Sequence, residues 1–267
     1  MVDESAAQTI LVSRQDSVAT VTLNRPDQHN GLTKHLKEEL RDALYDIADD
    51  ESIRAVVLTG AGRSFCVGQD LGEHAEALRE DPATSFDTIE LHYNPIVTTL
   101  TSMPKPVIAA VNGNCVGAGL GFALACDLRV IADDAKFGTA FTAIGLTPDS
   151  GLSATLARTV GTTRASELVM LGESFSAQQA VDWGIAGRVV PAEQLQATAQ
   201  ELAERLAAGP TLAYAEAKRG IAEGQHVSIA DVLVEEHSGQ ARLGMTEDHQ
   251  NAVEAFLAKQ KPEFRGK

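Results

Sequence analysis

The sequence predicts an α/β fold in which strand–strand–helix units come first and a helical region closes the chain. Three observations carry this. Residues 53–58 (IRAVVL), 107–111 (VIAAV) and 128–131 (LRVI) are short apolar runs, the pattern of strands covered on both faces. Stretches of helical periodicity separate them. From residue 192 to 256 the pattern is helical almost throughout, broken near Gly209 and Pro210, Gly220, Gly224 and Gly244, with few strand candidates. No clean linker separates independently folding domains, and no strict internal repeat is present.

The elements follow in order. Residues 9–14 and 18–23 read as two strands of a hairpin across Gln15, Asp16 and Ser17. Asn24, Arg25, Pro26 and Asp27 stop the second; Arg25 is either a solvated turn residue or a phosphate contact. Thr33 can cap a helix that places Leu36, Leu40, Leu44 and Ile47 on one face. The strand at 53–58 runs into a long glycine-bearing connection, residues 59–70, a common place for a ligand. Its glycine spacing fits neither a Walker loop nor a dinucleotide fingerprint. Residues 71–86 are polar, with only Ala75, Leu78 and Phe86 in a weak pattern, and read as a mobile flap. Residues 89–103 are helical up to Pro104, and Pro106 introduces the strand at 107–111.

Four glycines then fall between positions 113 and 121, a costly density for a helix. They serve either close helix packing or the presentation of backbone N–H groups to an oxygen at a helix N-terminus. After the next strand, GLTPDSG at 145–151 holds Asp149 where a turn becomes a helix. Asp149 or Ser150 is a helix cap there, or Asp149 is a carboxylate among Ile144, Leu146 and Leu152, poised as a base. Residues 163–171 are helical. Ser174 or Ser176 caps a further helix, Gln179 completing a capping box with Ser176. Residues 185–190 form a short edge strand stopped by Pro191. The basic tail, 259–267, is a solubilising terminus or a phosphate-binding patch.

Composition bounds the function. A chain of 267 residues with 44% hydrophobic residues can bury one large core, alone or with a helical extension. A formal charge of −15 disfavours a nucleic-acid-binding surface but leaves room for an anionic ligand at a local basic patch. Three widely spaced cysteines, Cys66, Cys115 and Cys126, suggest neither a disulfide framework nor a metal cluster, and no histidine spacing matches a metal motif. The acidic start, MVDESAAQ, is not a signal peptide, and no apolar run reaches membrane-spanning length. A soluble cytoplasmic protein with no membrane or nucleic-acid partner is expected. His74 and His92 flank the flap, either approaching a ligand or serving structure; Tyr93 is a pocket wall or a core residue.

These loops, in this order, resemble the crotonase superfamily, the enoyl-CoA hydratase/isomerase family, from about residue 12 to 264. Residues 64–70 (SFCVGQD) look like its first oxyanion-hole segment and 110–121 like its second; 176–184 and the closing FLAKQKPEF at 256–264 match later motifs. The resemblance implies a spiral of repeated ββα units, an acyl-CoA-binding core over 1–190, a helical oligomerisation and CoA-covering region over 191–267, and a homotrimer or hexamer. It implies acyl-CoA thioester substrates and no cofactor beyond their CoA moiety. Position matching makes the backbone N–H groups of Val67 and Ala118 the oxyanion donors. It makes Arg25, Phe256 and Lys259 contacts to CoA, the last two often from a neighbouring subunit. Phe141, His92 and Tyr93 are acyl-pocket candidates.

The departures sharpen this expectation. The two glutamates typical of hydratases match Gly121 and Phe141 here. Asp149 stands where a branch including ring-epoxide isomerases of phenylacetyl-CoA degradation, some enoyl-CoA isomerases and chlorobenzoyl-CoA dehalogenases carries its carboxylate. The resemblance therefore implies an isomerase that moves a double bond from the 3,4 to the 2,3 position, or rearranges a ring-epoxide acyl-CoA, by proton transfer at Asp149. The alternatives are hydration, dehalogenation with Asp149 as nucleophile, and non-catalytic acyl-CoA binding.

Overall fold

The computed structural model describes residues 8–267; the acidic N-terminal stretch read above lies almost wholly outside the described residues. The expected hairpin is β1 (Ile10–Gln15) and β2 (Val18–Leu23), antiparallel, with Gln15 opposite Val18. Helix α1 (Lys34–Asp49) follows, its first turn closed by the Thr33 hydroxyl, which accepts the Leu36 N–H. Leu36, Leu40, Leu44 and Ile47 form its buried face as expected, and Lys37 is buried beside them.

Three strand pairs then build the spiral. They are β3 (Ala55–Gly60) with β4 (Ser64–Cys66), β5 (Val107–Val111) with β6 (Asn114–Val116), and β7 (Leu128–Ala132) with β8 (Lys136–Gly138). The first strand of each pair joins a six-stranded sheet of order β1-β2-β3-β5-β7-β10, where β10 is Arg188–Val190. The second joins a four-stranded sheet of order β4-β6-β8-β9, where β9 is Phe175–Ser176. Each unit thus adds one strand to each layer. Every residue of β3 and β5 is buried, the physical reason for their largely apolar sequences. The edge position expected for β10 holds: it pairs only with β7, in parallel.

Helices separate the units. The first ten residues of the expected flap, 71–86, form a regular helix, α2 (Leu71–Glu80): the Asp70 carboxylate accepts the N–H groups of Gly72 and Glu73 and starts it. No residue of α2 is buried, which is why its sequence lacks an apolar face. A π-helical turn, Ile89–Tyr93, leads into α3 (Asn94–Ser102). Helix α4 (Ala118–Ala125) is buried at all eight positions and is central to the molecule. After it come α5 (Leu152–Val160), α6 (Thr162–Leu171) and α7 (Ala177–Asp182), the last opened by the Ser176–Gln179 capping box.

The C-terminal region begins with α8 (Leu195–Ala207), which packs across β3, β5 and β7 through Leu195, Ala199, Ala203 and Ala207. Four-residue spacing of small side chains lets this helix lie close to the sheet. Across the expected division at residues 190 and 191, α8 roofs the core sheet. Helices α9 (Thr211–Glu223), α10 (Ile229–Leu243) and α11 (Glu247–Leu257) extend from it. Helix α9 runs through Gly220, where a break was expected; the other glycine breaks fall between helices. Lys218 of α9 is tied to the core by Asp127 at 2.9 Å and by the Leu100 carbonyl. The basic tail is docked: the Asp248 carboxylate accepts the N–H groups of Arg265 and Gly266, and Arg54 donates to the Phe264 carbonyl. Among the described residues no helix is long and apolar enough to cross a membrane. This α/β architecture, with repeated strand–helix units and a helical C-terminal region, is the one expected.

Candidate active site

A cavity of about 580 Å³ opens where the two strand layers meet the start of α4. Two loops form one side. The turn after β4 carries Val67 and Gly68, and the turn after β6 carries Gly117 and Ala118. Gly68 (φ +84°) and Gly117 (φ +58°) both adopt conformations that exclude ordinary side chains, and a Cβ at Gly68 would lie 3.4 Å from the Ala118 nitrogen. The sequence thus keeps both positions bare so that the loops can adjoin. Ala118 is the first residue of α4, so its N–H has no partner within the helix.

Asp149 lines the same cavity. The cap reading fails: α5 is preceded by Gly151, and no side chain caps it. Asp149 is half-buried, and Ser150 Oγ donates to its Oδ1 at 2.8 Å. Burial raises its carboxyl above the usual aspartate range, tempered by the Ser150 hydroxyl and the Lys37 charge. The turn is tight: Ser150 (φ +53°) and Gly151 (φ +72°) are both left-handed, and Ser150 packs onto Gly121 of α4. A Cβ at Gly121 would come within 2.6 Å of the Ser150 Cβ and 2.9 Å of its carbonyl oxygen.

The other expected residues divide. Tyr93 and Phe141 line the cavity and are nearly buried. His74 lines it too, in edge contact with Phe86 at 5.5 Å between ring centroids. His92 is not among the residues that line the cavity. Its ring packs behind, with Nδ1 3.1 Å from Thr88 Oγ1 and Nε2 3.7 Å from Glu38. Burial, then the nearby Lys37 charge, lowers its pKa. Arg25 is not in the lining itself but donates to two residues that are, to Asp70 Oδ2 at 2.9 Å and to the Gly31 carbonyl. Phe256 and Lys259 are exposed on and after α11, and neither lines this chain's cavity. The three cysteines are free and buried, and burial pushes Cys66 and Cys126 up to about 12, leaving inert thiols.

Sequence reasoning missed Lys37 and Gln69. The Lys37 ammonium is enclosed against the back of the wall, 3.1 Å from Gln69 Oε1, 2.5 Å from Thr88 Oγ1 and 5.0 Å from the Tyr93 ring centroid. Burial brings its pKa down to about 8, against the opposing pull of Glu73, Asp149, Glu38 and Asp70. The signal was available: position 37 is three residues before Leu40 and seven before Leu44, on the apolar face of α1.

The sequence profile of the enoyl-CoA hydratase/isomerase family matches residues 13–267. The 1,2-epoxyphenylacetyl-CoA isomerase of Escherichia coli K12 is 40% identical over 259 residues, covering 97% of this chain and 98% of that one. The 2,3-dehydroadipyl-CoA hydratase of the same organism is 38% identical over 258 residues, covering 97% and 99%. A crystal structure of enoyl-CoA hydratase from Bacillus anthracis superposes with a TM-score of 0.91 at 34% identity, covering 97% of this chain and 100% of that one. With the strand order and the cavity already in place, these likenesses identify the chain as a member of the enoyl-CoA hydratase/isomerase family of the crotonase superfamily.

Proposed function

We propose that the protein is an acyl-CoA isomerase in which Asp149 is the single proton-transferring carboxylate. The observation that carries this is Gly121. The carboxylate that a two-glutamate hydration mechanism needs at that position has no space, because the turn holding Asp149 is packed against it. Phe141, at the second position, supplies an apolar wall instead.

In this reading the thioester oxygen lies between the N–H groups of Val67 and Ala118. Asp149 removes a proton from C2 of a 3-enoyl thioester, and the electron pair delocalises into a dienolate whose negative oxygen the two N–H groups stabilise. The Asp149 carboxylic acid returns the proton at C4, leaving the double bond between C2 and C3 and the carboxylate regenerated. A raised carboxyl pKa makes Asp149 a stronger base than an exposed aspartate. The same base and oxyanion site serve rearrangement of a ring-epoxide acyl-CoA. That reaction class is supported by the likeness to the 1,2-epoxyphenylacetyl-CoA isomerase.

CoA runs out of the cavity past the turn at Arg25, and Phe256 and Lys259 from a neighbouring subunit of a homotrimer or hexamer help cover it, Lys259 toward its phosphates. The exposed apolar side chains of α10 and α11, including Leu233, Val234, Phe256 and Leu257, support such an assembly. The decisive assay presents 3-enoyl-CoA and 2-enoyl-CoA to the enzyme while following water incorporation. A bond shift without net hydration is expected; predominant hydration of 2-enoyl-CoA would overturn the reading.

A further inference from the structure

Gln69 stands in the cavity wall with its backbone pinned. Asp70 N–H donates to the Leu32 carbonyl at 3.2 Å, and Leu32 N–H to the Gly68 carbonyl at 2.8 Å. Its side-chain oxygen Oε1 accepts two hydrogen bonds, one from Lys37 Nζ at 3.1 Å and one from the Tyr93 hydroxyl. An ammonium has donors and no acceptor, so only the oxygen end of the amide can answer it. That selects one of the two amide orientations. The oxygen faces Lys37 and Tyr93, and the NH₂ group is turned away from them, with no hydrogen bond to any described residue. Nε2 is not an enclosed orphan, since no such buried side-chain atom lacks a partner among the described residues. Its two protons are therefore available at the wall of a cavity that carries apolar Val67, Phe141 and Leu146 beside polar His74, Thr147 and Asp149.

The supports are unusual. Lys37 occupies a position on the apolar face of α1 that Leu36, Leu40 and Leu44 would suit with a hydrophobic neighbour. Enclosing an ammonium there costs desolvation, visible as its lowered pKa. Tyr93, nearly fully buried, spends its hydroxyl on the same amide oxygen. Two buried donors converging on one carboxamide oxygen fix an orientation that neither packing nor the sheet requires.

We infer that Gln69 is a specificity-determining residue that donates from Nε2 to an acceptor oxygen carried by the acyl group, and that Lys37 and Tyr93 are positioning residues that set its amide for this role. The ligand class is an acyl-CoA whose acyl group bears an oxygen beyond the thioester, such as a ring ether or epoxide, in preference to a hydrocarbon of equal size. The inference rests on acyl-CoA occupying this cavity, as proposed above, but not on which proton Asp149 moves.

The test is calorimetric titration with unreactive esters of matched shape: cyclohexylacetyl-CoA and the tetrahydropyranylacetyl-CoA isomers with the ring oxygen at each position in turn. Wild type should bind at least one ether about three- to tenfold more tightly than the carbocycle, the span of one net hydrogen bond. Gln69→Leu should erase that ratio. Gln69→Glu, which keeps acceptors for Lys37 and Tyr93 but cannot donate when ionised, should erase it while retaining the fold. Lys37→Met should shrink it with carbocycle affinity held, a separation that a purely structural role would not produce. A failed isomerase assignment is read separately, by turnover of 3-enoyl-CoA. Equal affinity for all the esters in wild type, or a preference that survives in both Gln69 variants, overturns the inference.

Discussion

Gly121 and Ser150 are in contact so close that a single added carbon at position 121 would lie 2.6 Å from the Ser150 Cβ. The glycine of α4 and the turn that carries Asp149 are therefore one packed unit. Gly121→Ala should destabilise the protein by about 1–3 kcal/mol, the usual cost of overpacking a core, and lower isomerase activity by shifting Asp149. Gly121→Glu combined with Phe141→Glu should not create a hydratase. Thermal unfolding and a hydration assay check both, and efficient hydration by the double variant would contradict the steric argument.

Asp149→Asn preserves size and leaves an oxygen to accept from Ser150 Oγ, now 2.8 Å from the carboxylate. Turnover of 3-enoyl-CoA should fall at least about a hundredfold, within the range for loss of a general base, while the far-ultraviolet circular dichroism stays unchanged. Near-normal turnover in the folded variant would remove Asp149 from the chemistry.

The raised pKa of Asp149 makes two pH predictions with fixed sign. The base must be ionised to act, so the acid limb of kcat/KM should lie above the ordinary aspartate value of about 4. For stability, a pKa higher in the folded than in the unfolded state favours folding at low pH, and that contribution is lost as pH rises through the folded value. Asp149→Asn should therefore be more resistant to urea than wild type at neutral pH, with the gap narrowing as the pH falls toward 4. A gap that widens on acidification would show the opposite linkage.

Lys259 and Arg25 should behave differently toward CoA. Lys259 is exposed, so a contact with phosphate is screened by salt; Lys259→Ala should weaken binding of an unreactive acyl-CoA more at low than at high ionic strength, leaving kcat intact. Arg25 is bound to Asp70, the residue that caps α2 and lines the cavity. Arg25→Ala should thus loosen the wall and weaken affinity largely independently of salt. Titrations of each variant at two salt concentrations separate these outcomes, and unchanged affinity throughout would remove both residues from CoA binding.

Sedimentation at working concentration should give the mass of a trimer or hexamer. Phe256 is 80% exposed and Leu257 75% exposed in the single chain, apolar surface that the proposed assembly would cover. Charge introduced at Leu233 and Val234 on α10 should reduce the assembled mass. A strictly monomeric wild type would contradict the proposed assembly.

The features that the sequence determined by itself are those with local causes. Dense apolar runs marked β3 and β5 because a strand covered on both faces has no polar side to write. The Thr33 cap and the Ser176–Gln179 box were legible because a hydroxyl meets an N–H only three residues away. The order of the glycine-bearing loops carried the family. Only the tertiary structure decided what depends on distant segments meeting. Whether Asp149 was a cap or a cavity carboxylate turned on Ser150 packing against Gly121, 29 residues earlier in the chain. Lys37, Gln69 and Tyr93 came together only because the spiral brings α1, the turn after β4 and the π-helical turn to one wall. The helix α2 escaped the apolar pattern because it has no buried face, its start resting on the Asp70 carboxylate. Periodicity reports which face of an element is buried; it carries no record of which distant residue that face will touch.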